Sequence, residues 1–320
     1  MSSLWSGDVA NPELDLLGIG QCSIDQVCTV EGMPRFTGKE AMLAYELLPG
    51  GQIATALLAG ARLGLRGAFV GSTGSDAAAA AVLAPLAAAG IDVSGVRRVA
   101  GAATRLAIIL VDRASGERTV LWYRDPRLRL RREDVAAARV ARARCLLLDG
   151  DDPEVTVHAA RSARASGVPV VLDVDRTAPG IEALLAQADY PIVSRHFAES
   201  FAPDGTLRGG LARLVGLGAR LAVATLGEHG CLALDGAREI ASPAYRVTPR
   251  DTTGAGDVFH AAFVWGLLEG LEVETLLRAA NAAAALSARA LGAQGGLPTR
   301  NELEAFLRDQ RPAPWREPIP

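Results

Sequence analysis

Residues 251–257 read Asp-Thr-Thr-Gly-Ala-Gly-Asp and run directly into an apolar helical stretch, Val258-Phe-His-Ala-Ala-Phe-Val-Trp-Gly-Leu-Leu268. Gly254 and Gly256 allow a tight turn, and the first backbone N–H groups of the helix that follows lack intrahelical acceptors, so they can converge on an anion. Asp257 stands at the mouth of that turn, where a carboxylate can take a proton from an attacking hydroxyl beside the anion site. An ordinary capped helix start would account for the glycines. It would not account for a second acid directly after them.

Outward from this stretch, short apolar runs at 14–19, 68–71, 145–148, 168–172, 191–193 and 221–225 read as strands. Segments of helical spacing, 53–63, 77–88, 153–165 and 207–217, lie between them. Continuous apolar strands alternating with helices predict a mainly parallel sheet buried on both faces, an α/β fold of three layers. In such folds sites gather at the carboxyl ends of the strands. Two stretches, 26–46 and 96–124, break the rhythm. They hold alternating runs such as Arg105-Leu-Ala-Ile-Ile-Leu-Val111 and Arg118-Thr-Val-Leu-Trp-Tyr123, joined by a hairpin turn at Ala114-Ser-Gly116. They predict a small β lid inserted into a single domain spanning 12–310. The tail 311–320, with four prolines, reads as an unpacked end.

Thirty-three basic against 36 acidic residues, a net charge of −3, leave no positive field suited to nucleic acid. Cys22, Cys28, Cys145 and Cys231 form no CxxC pair and sit in apolar surroundings, which fits buried thiols in the reducing cytoplasm. The N-terminus lacks the basic and apolar regions of an export signal, and Pro85 interrupts the alanine-rich stretch 77–89, so no membrane span is expected. His158, His196, His229 and His260 have no metal-ligand spacing and read as structural. Gly18-Ile-Gly20 partly imitates a dinucleotide fingerprint, but the third glycine and the helix after it are missing, which argues against an NAD-dependent dehydrogenase. No GxxxxGK[ST] occurs, so a Walker-type ATPase is excluded. A non-catalytic sugar-binding protein would not need Asp257.

The stretch 251–268 resembles the C-terminal signature of the ribokinase-like, pfkB-type carbohydrate kinases, and other segments agree with that family in order from about 14 to 306. The resemblance implies an ATP-dependent kinase with the three-layer ribokinase-like fold, Asp257 as catalytic base, Gly254-Ala255-Gly256 as anion hole and Asp251 as ligand of a monovalent cation such as K+. Gly20-Gln-Cys-Ser23-Ile-Asp25 resembles the family segment whose Asp binds substrate hydroxyls, and Gly50-Gly51-Gln-Ile-Ala-Thr55 resembles its N-terminal glycine pair. Ser23, Asp25, Gly50, Gly51 and Thr55 are thus expected at the acceptor. Gly71-Ser-Thr-Gly74-Ser-Asp76 matches the next family turn. Thr225, Gly227 and Gly230 resemble the strand-end loop near the nucleotide phosphates, and Asn281 the wall of the adenine pocket. A homodimer joined through the lids is implied as well.

Three departures matter. Thr55 stands where many relatives carry Asn, and its single hydroxyl offers fewer bonds than an amide, so the acceptor is expected to differ from ribose. The family's Asn-x-x-Glu, which helps hold Mg2+, falls near Ser194-Arg-His-Phe-Ala-Glu199, without the Asn and with Glu199 out of register. Asp173 and Asp175 become the candidate magnesium carboxylates, since Mg2+ keeps several waters and needs few protein oxygens. Thr55, Leu172-Asp-Val-Asp-Arg176 and the His260 ending look closest to ketose kinases, including ketohexokinase and sulfofructose kinase. Asp149-Gly-Asp-Asp152 offers acids rather than fixed cations and favours a neutral sugar, with Arg105, Arg118, Arg124 and Arg176 expected in solvent. A nucleoside or sugar phosphate remains the alternative acceptor.

Overall fold

The computed structural model describes residues 12–316. Residues 1–11, on which the absence of an export signal rests, and the last four residues of the tail lie outside the described residues. A nine-stranded sheet is built from β1 (Leu14–Ile19), β4 (Gly67–Thr73), β5 (Asp92–Arg98), β8 (Ala143–Asp149), β9 (Val170–Val174), β10 (Tyr190–Ser194), β11 (Ala222–Thr225), β12 (Cys231–Asp235) and β13 (Arg238–Ser242). Its order is β13-β12-β11-β10-β9-β8-β1-β4-β5, parallel except where β12 and β13 fold back as an antiparallel edge.

The apolar runs are continuous because both faces are covered. Leu147 packs on one face with Ile53, Leu57, Phe263 and Leu276, and its neighbour Leu146 on the other with Val155, Phe197 and Leu211. The first face is covered by α1 (Gln52–Arg62), α2 (Ala77–Ala88), α8 (Ala255–Leu268), α9 (Val273–Ser287) and α10 (Arg300–Asp309). The second is covered by α3 (Ala137–Val140), α4 (Pro153–Ala165), α5 (Ile181–Leu185), α6 (Arg195–Phe201) and α7 (Leu207–Gly216). Burying each such aliphatic side chain contributes roughly 1.5–3 kcal/mol, so the sandwich is stabilised by its two interfaces together. Helix α8 lies between sheet and outer helices and is buried from Val258 to Leu268 all round, which explains its lack of a polar face.

The lid is a second, four-stranded sheet in the order β3-β2-β6-β7: β2 (Ser23–Val30), β3 (Ala44–Gly50), β6 (Leu106–Asp112) and β7 (Arg118–Tyr123). Its limits differ from the expected ones. Val96 to Arg98 pair with β4 in the main sheet, and the lid begins at Ser23, directly after β1. Pro49 is tolerated because β3 is an edge. Pairing sets two faces. Leu48, Asp25, Ala107 and Trp122 form one row on the inner face, where Val27, Ala107, Ile109 and Val111 pack with Leu48 and Leu291. The outer face presents Tyr45, Leu47, Leu121 and Tyr123, each more than half exposed. The tail packs more than a free end would: Ala313 N–H donates to the Ala244 carbonyl, and Trp315 lies against the second core. No helix among the described residues is long and apolar enough to cross a membrane.

Candidate active site

The turn before α8 is fastened from several sides. Gly254 has φ +77°, a left-handed conformation that favours glycine, and caps the helix. Asp251 is wholly buried: Oδ1 accepts from Thr253 N–H and Oδ2 from Gly292 N–H, both at 2.8 Å. It thereby ties the turn to the loop after α9. The lid reaches the same place, because Arg118 donates to Thr252 Oγ1 at 2.9 Å and the Thr252 hydroxyl donates to the Gly116 carbonyl at 3.2 Å. Asp257 follows in the first helical turn. Burial first, then the nearby carboxylates of Asp173, Asp175 and Asp25, push its carboxyl well above the usual range, with Arg118 opposing. A carboxylate so placed is a stronger base.

Asp25 and Ser23 lie on β2, at the root of the lid, instead of in the turn after β1. Ser23 Oγ donates to Asp25 Oδ1 at 2.7 Å, and burial raises Asp25 to about 6 against the lowering effect of that bond and of Arg105. The glycine pair fits tightly here. A Cβ on Gly50 would lie 1.9 Å from Asp25 Oδ2, and one on Gly51, at φ +95°, 2.5 Å from Cys22 Cα. Thr55 departs from expectation. It is 0% exposed, and its hydroxyl accepts from Gln294 Nε2 at 3.4 Å, so it presents no surface to an acceptor.

Asp173 and Asp175 both lie at the carboxyl end of β9, but only Asp175 is exposed. Asp173 is raised to about 6 by burial, offset by His260 and by a side-chain hydrogen bond from Gln52, and further raised by Asp175. Its Oδ1 is 3.6 Å from His260 Nε2. Glu199 pairs with Arg195 at 2.6 Å. Among the described residues no cluster of three or more His, Cys, Asp or Glu that could hold a metal forms. Thr225 and Gly227 lie at the end of β11, and Thr225 Oγ1 donates to the Val193 carbonyl at 3.3 Å. Asn281 is buried, and its Nδ2 donates to Ser242 O and Oγ, both at 3.0 Å, pinning α9 to the edge of the sheet.

Of the four arginines expected in solvent, Arg118 and Arg176 are exposed, whereas Arg105 and Arg124 are not. Arg105 is only 6% exposed; it and Arg124 pair with Asp151, as Arg176 also does, and Arg124 pairs with Asp152. Arg105 and Arg176 flank Trp122, their guanidinium carbons 4.7 and 4.6 Å from its ring centroid. Gln52 is not singled out in the sequence, and His260 reads there only as structural. Gln52, the first residue of α1, and His260, a polar side chain on an otherwise apolar helix, both join Asp173. A buried polar residue amid apolar neighbours must find partners, and that was the available signal.

All four cysteines are buried and free. Taken together, the glycine turn that opens α8, the raised carboxyl of Asp257 and the buried carboxyl of Asp25 lie where the lid joins the strand ends. The profile described as pfkB family carbohydrate kinase matches residues 14–300. The chain is 32% identical to a ribokinase of Bacillus subtilis over 90% of this chain and 98% of that one. It is 29% identical to fructokinase-1 of Oryza sativa over 90% and 96%. The crystal structure of a Thermotoga maritima ribokinase superposes with a TM-score of 0.80 at 28% identity, covering 92% of this chain and 100% of that one. The chain belongs to the pfkB family of carbohydrate kinases.

Proposed function

We propose that the protein transfers the γ-phosphoryl group of ATP to a hydroxyl of a small neutral sugar, a ketose or a close relative. Asp257 takes the proton of the acceptor hydroxyl, and the N–H groups of the Gly254-Ala255-Gly256 turn hold charge developing on the transferred group. The observation that carries this reading is the placement of Asp257 in the first turn of α8, directly after Gly254 and Gly256, with Asp25 near enough to help raise its carboxyl. Asp25 and Ser23 accept and orient acceptor hydroxyls, and Gly50 and Gly51 let the backbone approach. Thr225, Gly227 and Gly230 border the nucleotide, and Asn281 shapes its adenine side by holding Ser242. Asp175, the exposed acid after β9, would help hold Mg2+, which would neutralise charge on the phosphates, and Asp251 would lie near K+, which would offset charge near the turn.

A neutral acceptor is favoured because Arg105, Arg124 and Arg176 are matched by Asp151 and Asp152. The buried thiols fit a reducing cytoplasm. The outer lid face fits a twofold contact with a second copy, which would cover Tyr45, Leu47, Leu121 and Tyr123. A phosphoryl-transfer screen with ATP and Mg2+, with and without K+, over ketoses, aldoses, sugar phosphates and nucleosides tests the assignment. Preference for a sugar phosphate or a nucleoside would overturn the neutral-sugar part, and no transfer to any would overturn the whole.

A further inference from the structure

His260 lies one helical turn beyond Gly256 and is buried. Its two ring nitrogens face acceptors. Nδ1 is 2.7 Å from the Gly256 carbonyl; Nε2 is 3.3 Å from the Ile192 carbonyl and 3.6 Å from Asp173 Oδ1. The ring thereby bridges Gly256, in the turn, to β10 and to Asp173. From Asp173 the contacts continue: Gln52 donates to Asp173, and Gln21 Nε2 donates to Gln52 Oε1. Gln52 directly follows the Gly50-Gly51 pair, and Gln21 precedes Cys22 and Ser23. A polar chain thus runs across the strand ends from the anion-binding turn to both loops of the acceptor side.

We propose that His260 is a positioning residue that couples the two halves of the site, bracing the Gly256 carbonyl with one nitrogen and, through Asp173 and Gln52, the acceptor loop with the other. The physical argument concerns alternatives open to each group. The Gly256 carbonyl lies in the first turn and could tilt toward solvent, which would re-aim the N–H groups of the turn. A donor fixed in the core removes that freedom. Gln52 has only its amide to share, so its orientation is set by Asp173 on one side and Gln21 on the other. Filling the acceptor side therefore restricts the anion side, and by thermodynamic necessity the reverse holds as well.

The proposal rests on the kinase reading, and calorimetry separates the two. The measurement is the affinity for D-ribose or D-fructose, whichever the wild type phosphorylates better, with and without a non-hydrolysable ATP analogue. In the wild type the analogue should tighten sugar binding by at least about fivefold, the lower end of ordinary coupling. His260→Asn keeps a donor near the Nδ1 position and loses the link to Asp173, so coupling should fall toward onefold while turnover falls less than in His260→Phe, which loses both ends. Gln52→Leu, at the half-buried far end of the chain, should lose the coupling as well, and it decides the matter if the His260 variants melt early. Wild-type coupling in Gln52→Leu, or in a folded His260→Phe, overturns the proposal. A wild type that transfers no phosphoryl group instead counts against the kinase reading.

Discussion

A Cβ added to Gly254 would lie 2.7 Å from Cα of Ala293, whereas one added to Gly256 would meet nothing within 4 Å. Two glycines of one turn thus differ in what restricts them, the first the packed fold and the second whatever the turn binds. Gly254→Ala should lower the melting temperature sharply, through strain at positive φ and a clash with backbone. Gly256→Ala lies inside α8, where alanine is favoured over glycine by about 0.5–1 kcal/mol, so its melting temperature should hold or rise. Its turnover should nevertheless fall at least about tenfold as the methyl intrudes on the anion. A stable Gly256→Ala enzyme with full turnover would show that the anion binds elsewhere.

Asp257→Asn preserves size and removes the proton acceptor. Turnover should drop by roughly 10²–10⁴-fold, the usual contribution of a general base, with nucleotide affinity from calorimetry nearly unchanged. Undiminished turnover would remove Asp257 from the mechanism.

Asp25 sets a pH dependence of defined sign. Its carboxylate can accept two hydroxyls, and the protonated form loses part of that capacity. Because burial raises it to about 6, sugar affinity should strengthen as pH rises through that value and level off above it. Ligand-free stability should run the other way. Unfolded Asp ionises near pH 4 while folded Asp25 stays protonated to about 6, so stability is greatest below that window and declines across it. In Asp25→Asn, titration calorimetry should lose the dependence of sugar affinity, and thermal melts should lose one group's share of the decline, the remainder belonging to Asp173 and Asp257; unchanged dependences would assign them to another group.

The two lid faces make the assembly prediction discriminating. Leu47→Glu or Leu121→Glu, on the exposed outer face, should convert a dimer to a folded monomer in light scattering. Ile109→Glu buries a charge on the inner face, where Ile109 is 2% exposed, and should destabilise the fold whatever the oligomeric state. Monomers at every concentration of the wild type would rule the lid contact out.

The central strands were readable in the sequence because burial on both faces leaves unbroken apolar runs, and α2 and α4 were readable to their ends because Asp76 and Pro153 punctuate them. The lid was harder. Val96 to Arg98 carry the exposed and half-buried residues of an edge, as lid strands do, because β5 is an edge of the main sheet. The active-site turn carried its own signature. Burial of Arg105, enclosure of Thr55 by Gln294 and the partners of His260 are set by residues 46, 239 and 68 positions away, and no local pattern encodes such meetings.

The position of Asp25 near the root of the lid has a mechanical consequence. Three residues, Gly20 to Cys22, separate β1 from β2, and they form the natural fulcrum for a rotation of the lid. Displacement grows with distance from a fulcrum. At about 3.3 Å per residue, Val30 stands roughly 16 Å further along the strand than Asp25, so a swing that carries the tip clear moves Asp25 far less. With Asp25 holding the acceptor as proposed, the outer end of the lid can move while that hold, close to the pivot, is kept.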